Sequence, residues 1–346
     1  MKTTTKILLG ALASATLLAA GCVLPVKADG LQKVLTLGFD KGPVSAATIT
    51  SPMARGAKLA YSVTERGQGE QKLRVIQAES DDEWAIGVDA VAQSAVILEA
   101  LEVGSAEVYI EAESTHGYWL DNLFELSVAE VDSLDFANPC ELGGEAAYFV
   151  DSDIRLHYTM RAGSEIAVGY GHYPVEFWPL SGAKLGEAST NGLLPLRTGV
   201  FPGRVEIRST VSDDRFKIDL VEPRDVNALK LFEEDIYSSD KVPVLLDTLT
   251  SLHILPEVGD GLPVCQNNAD MRVEVLTPNI CNASFYQGPP RTEDLFHLYE
   301  TQTLDVYGLN PGECTFRVTM PEAAGGQGVS VEKTVRIGGY APDMLD

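Results

Sequence analysis

Histidine is scarce in this chain and isolated where it occurs. His116, His157, His172, His253 and His297 show neither a His-x-His pair nor the His-Glu-x-x-His spacing that sets two imidazoles on one helix face for zinc. No metal site is readable. A Gly-x-Ser-x-Gly elbow and a Walker-type phosphate loop are missing, and Gly169-Tyr170-Gly171 lacks the third glycine of a dinucleotide fingerprint. Nucleophilic and nucleotide chemistry are therefore unsupported. The 50 acidic residues guarantee chance carboxylate pairs, so no acid–base couple can be singled out. The expectation is a protein without catalytic residues, metal or cofactor.

Basic residues are also in short supply, with 26 Lys+Arg against 50 Asp+Glu and a net charge of −24. Without residues 1–21, which hold two lysines and no acid, 24 basic residues face the same 50. Nucleic acid and anionic lipid surfaces are poor partners for such a chain, because both are bound by Lys and Arg neutralising phosphate. Solubility is the simple role of the acidity. Hydrophobic content of 45% is nonetheless ordinary for a folded protein. The length suggests two or three domains.

Long apolar runs are absent except at the N-terminus, where Lys2 and Lys6 precede an uncharged stretch from Ile7 to Ala20. That is a secretory signal pattern, too short and wrongly flanked for a membrane span. The following Leu18-Ala19-Ala20-Gly21-Cys22 resembles the bacterial lipobox, which implies that Cys22 is acylated and becomes the mature N-terminus. Ala19 stands where most lipoboxes carry leucine. Two or more acyl chains anchor stably, at about 0.8 kcal/mol per buried CH₂. Cleavage after Val26-Lys27-Ala28 also fits and would release a soluble protein. In lipoproteins an aspartate after the acylated cysteine favours inner-membrane retention, so Val23 points to the outer membrane.

Long amphipathic helices are missing too. The one candidate, Val88 to Leu101, carries Val and Ala on both faces and is read as strand. What the chain does have is a repeat of 95 to 110 residues. Gly104-Ser105-Ala106-Glu107-Val108-Tyr109-Ile110 recurs as Gly203-Arg204-Val205-Glu206-Ile207-Arg208-Ser209 and as Gly312-Glu313-Cys314-Thr315-Phe316-Arg317-Val318. Apolar or small residues alternate with polar ones in each, the period of a half-buried strand. Leu101, Val200 and Leu309 lie three places before the glycines. Upstream, Lys58-Leu59-Ala60-Tyr61-Ser62 matches Arg155-Leu156-His157-Tyr158-Thr159 and Ser251-Leu252-His253-Ile254. The exits Phe124–Val128 and Phe216–Leu220 each run on into the next copy without a linker. Three matches in one order argue for tandem modules.

Short strands at this repeat length indicate an all-β chain of three tandem immunoglobulin-like β-sandwich domains after a cleaved signal peptide. The expected division is 1–21 signal peptide, 22–33 lipidated tether, 34–131, 132–228 and 229–340 as domains, and 341–346 as tail. The glycine-led strands resemble the penultimate strand of bacterial Ig-like domains, most closely in the third copy. In that family a cysteine in Pro-x-x-Cys pairs with one in Gly-x-Cys-x-Φ, where Φ is apolar. Pro278-Asn279-Ile280-Cys281 and Gly312-Glu313-Cys314-Thr315-Phe316 fit, so the resemblance implies a Cys281–Cys314 disulfide. Cys140 and Cys265 remain. They bridge domains two and three, pair with another chain or stay reduced. A bridge needs Cα atoms within about 7 Å, which in an extended rod demands a folded-back arrangement.

Two further features each admit two readings. Tyr170, Tyr173, Phe177 and Trp178 form the densest aromatic segment, either an exposed platform for a sugar or partner, or the buried aromatic of a sandwich. The acidic turns Ser80–Glu83, Asp151–Asp153 and Glu257–Asp260 are either solvated or calcium-binding between domains. The resulting reading is a non-catalytic envelope lipoprotein, held to the membrane by acyl chains, that acts as spacer or protein-binding scaffold. A carbohydrate-binding or adhesive lipoprotein using residues 170–178 is the first alternative, and an envelope hydrolase with a cryptic site the second.

Overall fold

A computed structural model describes residues 35–65, 73–137, 146–187, 190–233, 249–265, 269–286 and 302–338. The signal segment, Cys22, the tether, Cys140 and residues 341–346 lie outside them. Regular structure among the described residues is β-strand, apart from single helical turns at Pro223–Asp225 and Ala323–Gly326. The chain is all-β.

The first eight strands are β1 (Leu35–Phe39), β2 (Met53–Ala54), β3 (Lys58–Glu65), β4 (Arg74–Ser80), β5 (Ile86–Ala92), β6 (Ala95–Ala100), β7 (Gly104–Glu113) and β8 (Trp119–Ala129). They form two sheets, ordered β1-β3-β6-β5 and β2-β8-β7-β4. Next come β9 (Ser133–Ala137), β10 (Ala147–Phe149), β11 (Asp153–Ala162), β12 (Glu165–Ala167), β13 (Val175–Trp178), β14 (Ala183–Leu185), β15 (Leu193–Thr198), β16 (Gly203–Ser209) and β17 (Arg215–Val221). Here β9, β12 and β15 all pair with β11, β14 pairs with β15, and the second sheet is β10-β17-β16-β13. The last set is β18 (Val226–Glu233), β19 (Leu249–Val258), β20 (Leu262–Pro263), β21 (Arg272–Val275), β22 (Cys281–Phe285), β23 (Gln302–Gly308), β24 (Gly312–Met320) and β25 (Val329–Ile337). Its sheets are β18-β19-β23-β22, with β20 on β19, and β21-β24-β25.

One topology is thus laid down three times. In the first two copies the opening segment changes sheets. β1 and β9 run antiparallel to β3 and β11, whereas β2 and β10 run parallel to β8 and β17. Each pair of sheets encloses its own core, built by strand alternation. Ala106, Val108, Ile110 and Ala112 of β7 are buried while Glu107, Tyr109, Glu111 and Glu113 face outward. Val205, Ile207 and Ser209 of β16 and Cys314, Phe316 and Val318 of β24 take the same inward places. Val88 to Leu101 forms the β5–β6 hairpin, where a bulge between Val88 and Ala90 breaks the helix-like pattern.

Successive sandwiches are joined by more than chain. Between the first and second, Ala54 N donates to Val168 O (2.8 Å) and Val168 N to Pro52 O (2.9 Å). Lys58 and Tyr170 exchange a further pair of backbone bonds at 2.8 Å each. Buried Asn191 ties the same seam, accepting from Gly169 N at 2.8 Å and donating to Lys41 O at 3.1 Å. Gly169 has φ +132°, and a Cβ there would stand 2.7 Å from Ala57 Cβ.

At the second junction Cys265 N donates to Ala147 O at 2.8 Å, Val264 bridges Ala147, and Leu255 and Cys265 pack into the second core. Cys265 is fully buried and disulfide-bonded. This corrects the sequence-based expectation that the start of one sandwich is out of reach of the next one's loops. The segment after β20 crosses to β10, and the neighbouring sandwiches share buried surface.

Candidate binding surface

The four aromatics singled out in the sequence divide in the structure. Tyr170 and Tyr173 are buried, so neither is offered to a ligand. Tyr170 belongs to the first junction, and Tyr173 meets Tyr158 edge to face at 5.5 Å between ring centroids. The Tyr158 hydroxyl donates to Gly169 O at 2.8 Å, and burial raises its pKa well above the ordinary phenol value. Phe177 is half-buried against the second core. Trp178 alone stands out from β13, at 61% exposure.

The Arg208 guanidinium lies 5.6 Å from the centre of the Trp178 ring, within cation–π range. Arg208 also pairs with Glu206 at 3.1 Å and approaches Glu176 at 4.0 Å. The hydrogen bond from Arg208, with Arg215 nearby, lowers the Glu206 pKa. Beside this pair the turn after β13 is closed by Gly182 N donating to Pro179 O, and Gly199 N of the turn after β15 donates across to Gly182 O. These turns carry Leu180, 79% exposed, Phe201, 75% exposed, and exposed Val200. With Trp178 they expose four large apolar side chains at one end of the second sandwich. Leu180 and Phe201 escaped the sequence reading because turn residues have no periodicity to give them away.

The corresponding turns of the first sandwich, joined by Leu101 N to Ala85 O, expose Trp84 at 83% together with Leu101 and Val103. In the third, Leu276 and Leu309 are exposed at those places. The aliphatic residue three positions before each glycine is therefore a surface residue in all three copies.

The acidic turns have local duties. Asp81 Oδ1 accepts from Glu107 N (2.7 Å) and Asp82 Oδ1 from Trp84 N (3.1 Å). Asp151 and Asp153 hold Arg197 at 2.7 and 2.9 Å, and Glu257 holds Lys230 at 2.8 Å. Among the described residues no group of three or more His, Cys, Asp or Glu side chains is placed to hold a metal. Cys281 and Cys314 form a disulfide with Cα atoms 5.6 Å apart, joining the two sheets of the third sandwich.

No protein-family model matches the chain, and no curated protein matches it. Among solved structures it is similar to domains 4–9 of the surface layer protein SbsC, at 11% identity and a TM-score of 0.27, over 90% of this chain and 48% of that one. It thus spans about half the length of that fragment. FdeC, an Escherichia coli adhesin, aligns at 12% identity and a TM-score of 0.24, over 88% of this chain and 96% of the adhesin. The Bacteroides ovatus protein SGBP-B of a mixed-linkage glucan utilization locus, solved with a heptasaccharide, aligns at 11% identity and a TM-score of 0.26, over 88% of this chain and 70% of its own. Likenesses this distant assign no function.

Proposed function

We propose that the mature protein is a non-catalytic binding scaffold of the cell envelope, anchored by acyl chains on Cys22 and sorted to the outer membrane. The observation that carries the binding role is the exposure of Trp178, Leu180, Val200 and Phe201 at one end of the second sandwich, since exposed apolar patches on a protein surface mark sites where other molecules dock. The hydrogen-bonded junctions support the spacer part of the reading, because they hold that end in fixed relation to the neighbouring sandwich. A photo-crosslinking residue at Phe201 is expected to give one discrete adduct in intact cells, with none from the same residue at Lys217. Equal labelling at both places, or none at either, counts against the scaffold. Mass spectrometry of protein purified from native membranes tests the anchor separately, by the mass of its N-terminal peptide.

A second reading, a carbohydrate-binding surface, is favoured by the exposed Trp178 ring with Arg208, Glu176 and Glu206 around it. An indole face takes the C–H face of a sugar while charged neighbours bond its hydroxyls. Glycan-array binding that Trp178→Ala removes without lowering the melting temperature supports this reading. Binding unchanged by that substitution rejects it.

A further inference from the structure

The first sandwich has an open strand edge. One edge of β8 is covered by β7 along its length, but on the other edge β2 pairs only at Val128 and Ala129, so among the described residues no strand lies along that second edge from Trp119 to Ser127. In place of a strand, the Asn122 side chain spans the gap. Its Nδ2 donates to Leu35 O at 3.1 Å and its Oδ1 accepts from Leu123 N at 2.9 Å. Between β1 and β8 runs an open groove of about 320 Å³, walled by Leu35, Leu37, Ile49, Phe124 and Leu126. Asn122 and Phe124 sit at inward positions of the alternation yet are only half-buried, because among the described residues nothing closes the sheet above them.

The solvent face of the same strand has the opposite chemistry. Glu125 lies directly across from Glu107, and Asp121 across from Glu111. Like charges in direct cross-strand register oppose pairing. None of these four carboxylates has a Lys or Arg partner among the described residues. An occupant that added a strand here would send every other side chain into the groove and the alternate ones over this acidic face.

We propose that the β8 edge binds an extended polypeptide strand whose side chains alternate between apolar and basic, the apolar ones filling the groove and the basic ones meeting Asp121 and Glu125. Backbone pairing supplies the order, the groove the apolar positions, and the carboxylates the sign of the charge. This site is on a different sandwich from Trp178 and does not depend on the scaffold reading.

The test uses the mature chain and a short synthetic peptide alternating valine and lysine, with two controls: the same composition in scrambled order, and the alternating peptide N-methylated along one edge. The alternating peptide is expected to bind, to slow hydrogen exchange of amides within residues 121–127, and to lose roughly fivefold in affinity on Asp121→Asn with Glu125→Gln. Both replaced side chains are exposed, so the fold is kept, and circular dichroism verifies it. Equal binding of the scrambled or N-methylated peptide overturns the proposal, since only charge would then be sensed. So does protection that maps elsewhere, or no binding.

Discussion

Gly169 lies where the backbones of two sandwiches meet, at a φ that L side chains rarely adopt and with Ala57 filling the space a Cβ would need. Gly169→Ala combines backbone strain with overpacking and is expected to cost about 2 to 4 kcal/mol. Gly163→Ala, at φ +62° but in open space, isolates the backbone part. Urea unfolding of the two variants separates the contributions. On the outer face of β16 and β17, Arg204 grips Asp219 through Nε and an Nη, both at 2.8 Å, and this bond lowers the Asp219 pKa. A folded-state pKa below the unfolded value of about 3.9 stabilises the protein above that pH. The contribution fades as pH falls through the folded value. Asp219→Asn should therefore flatten the acid limb of the stability curve below about pH 4 and leave its shape unchanged near neutrality, as denaturant midpoints across pH will show.

At the scale of strands, the Cys281–Cys314 bond closes a separation of 33 residues. Loop entropy puts its contribution at roughly 3 to 4 kcal/mol, so Cys281→Ser with Cys314→Ser should lower the stability of the third sandwich by about that amount, measured by thermal unfolding. The strands that carry the repeat were legible because period-two patterning survives in Ala106-x-Val108-x-Ile110 and its counterparts, and a buried sheet face enforces that pattern. The all-β class followed from it. β2, β10 and β20 were not legible, since two or three residues show no period and their pairing is set by where the chain changes sheets. The aromatic segment stayed open between an exposed and a buried reading for a related reason. Composition shows that four rings are close in sequence, but it is the junction that buries Tyr170 and the second core that buries Tyr173.

Across the whole molecule, the first two sandwiches share a seam that includes a buried amide. Asn191→Ala would strand Gly169 N and Lys41 O, at a cost of roughly 1 to 3 kcal/mol. The wild-type chain is expected to melt its first two sandwiches in one calorimetric transition and the variant in two, because the seam couples their unfolding.

The disulfide also fixes how far the chain can stretch. A tether loaded at both ends pays out polypeptide as its folded units give way, and the residues between Cys281 and Cys314 are withheld from that release. The hidden length is roughly 110 Å at full extension. Single-molecule traces recorded with and without a reductant should differ by that increment in the last sandwich, and the oxidised protein keeps a shorter maximum reach.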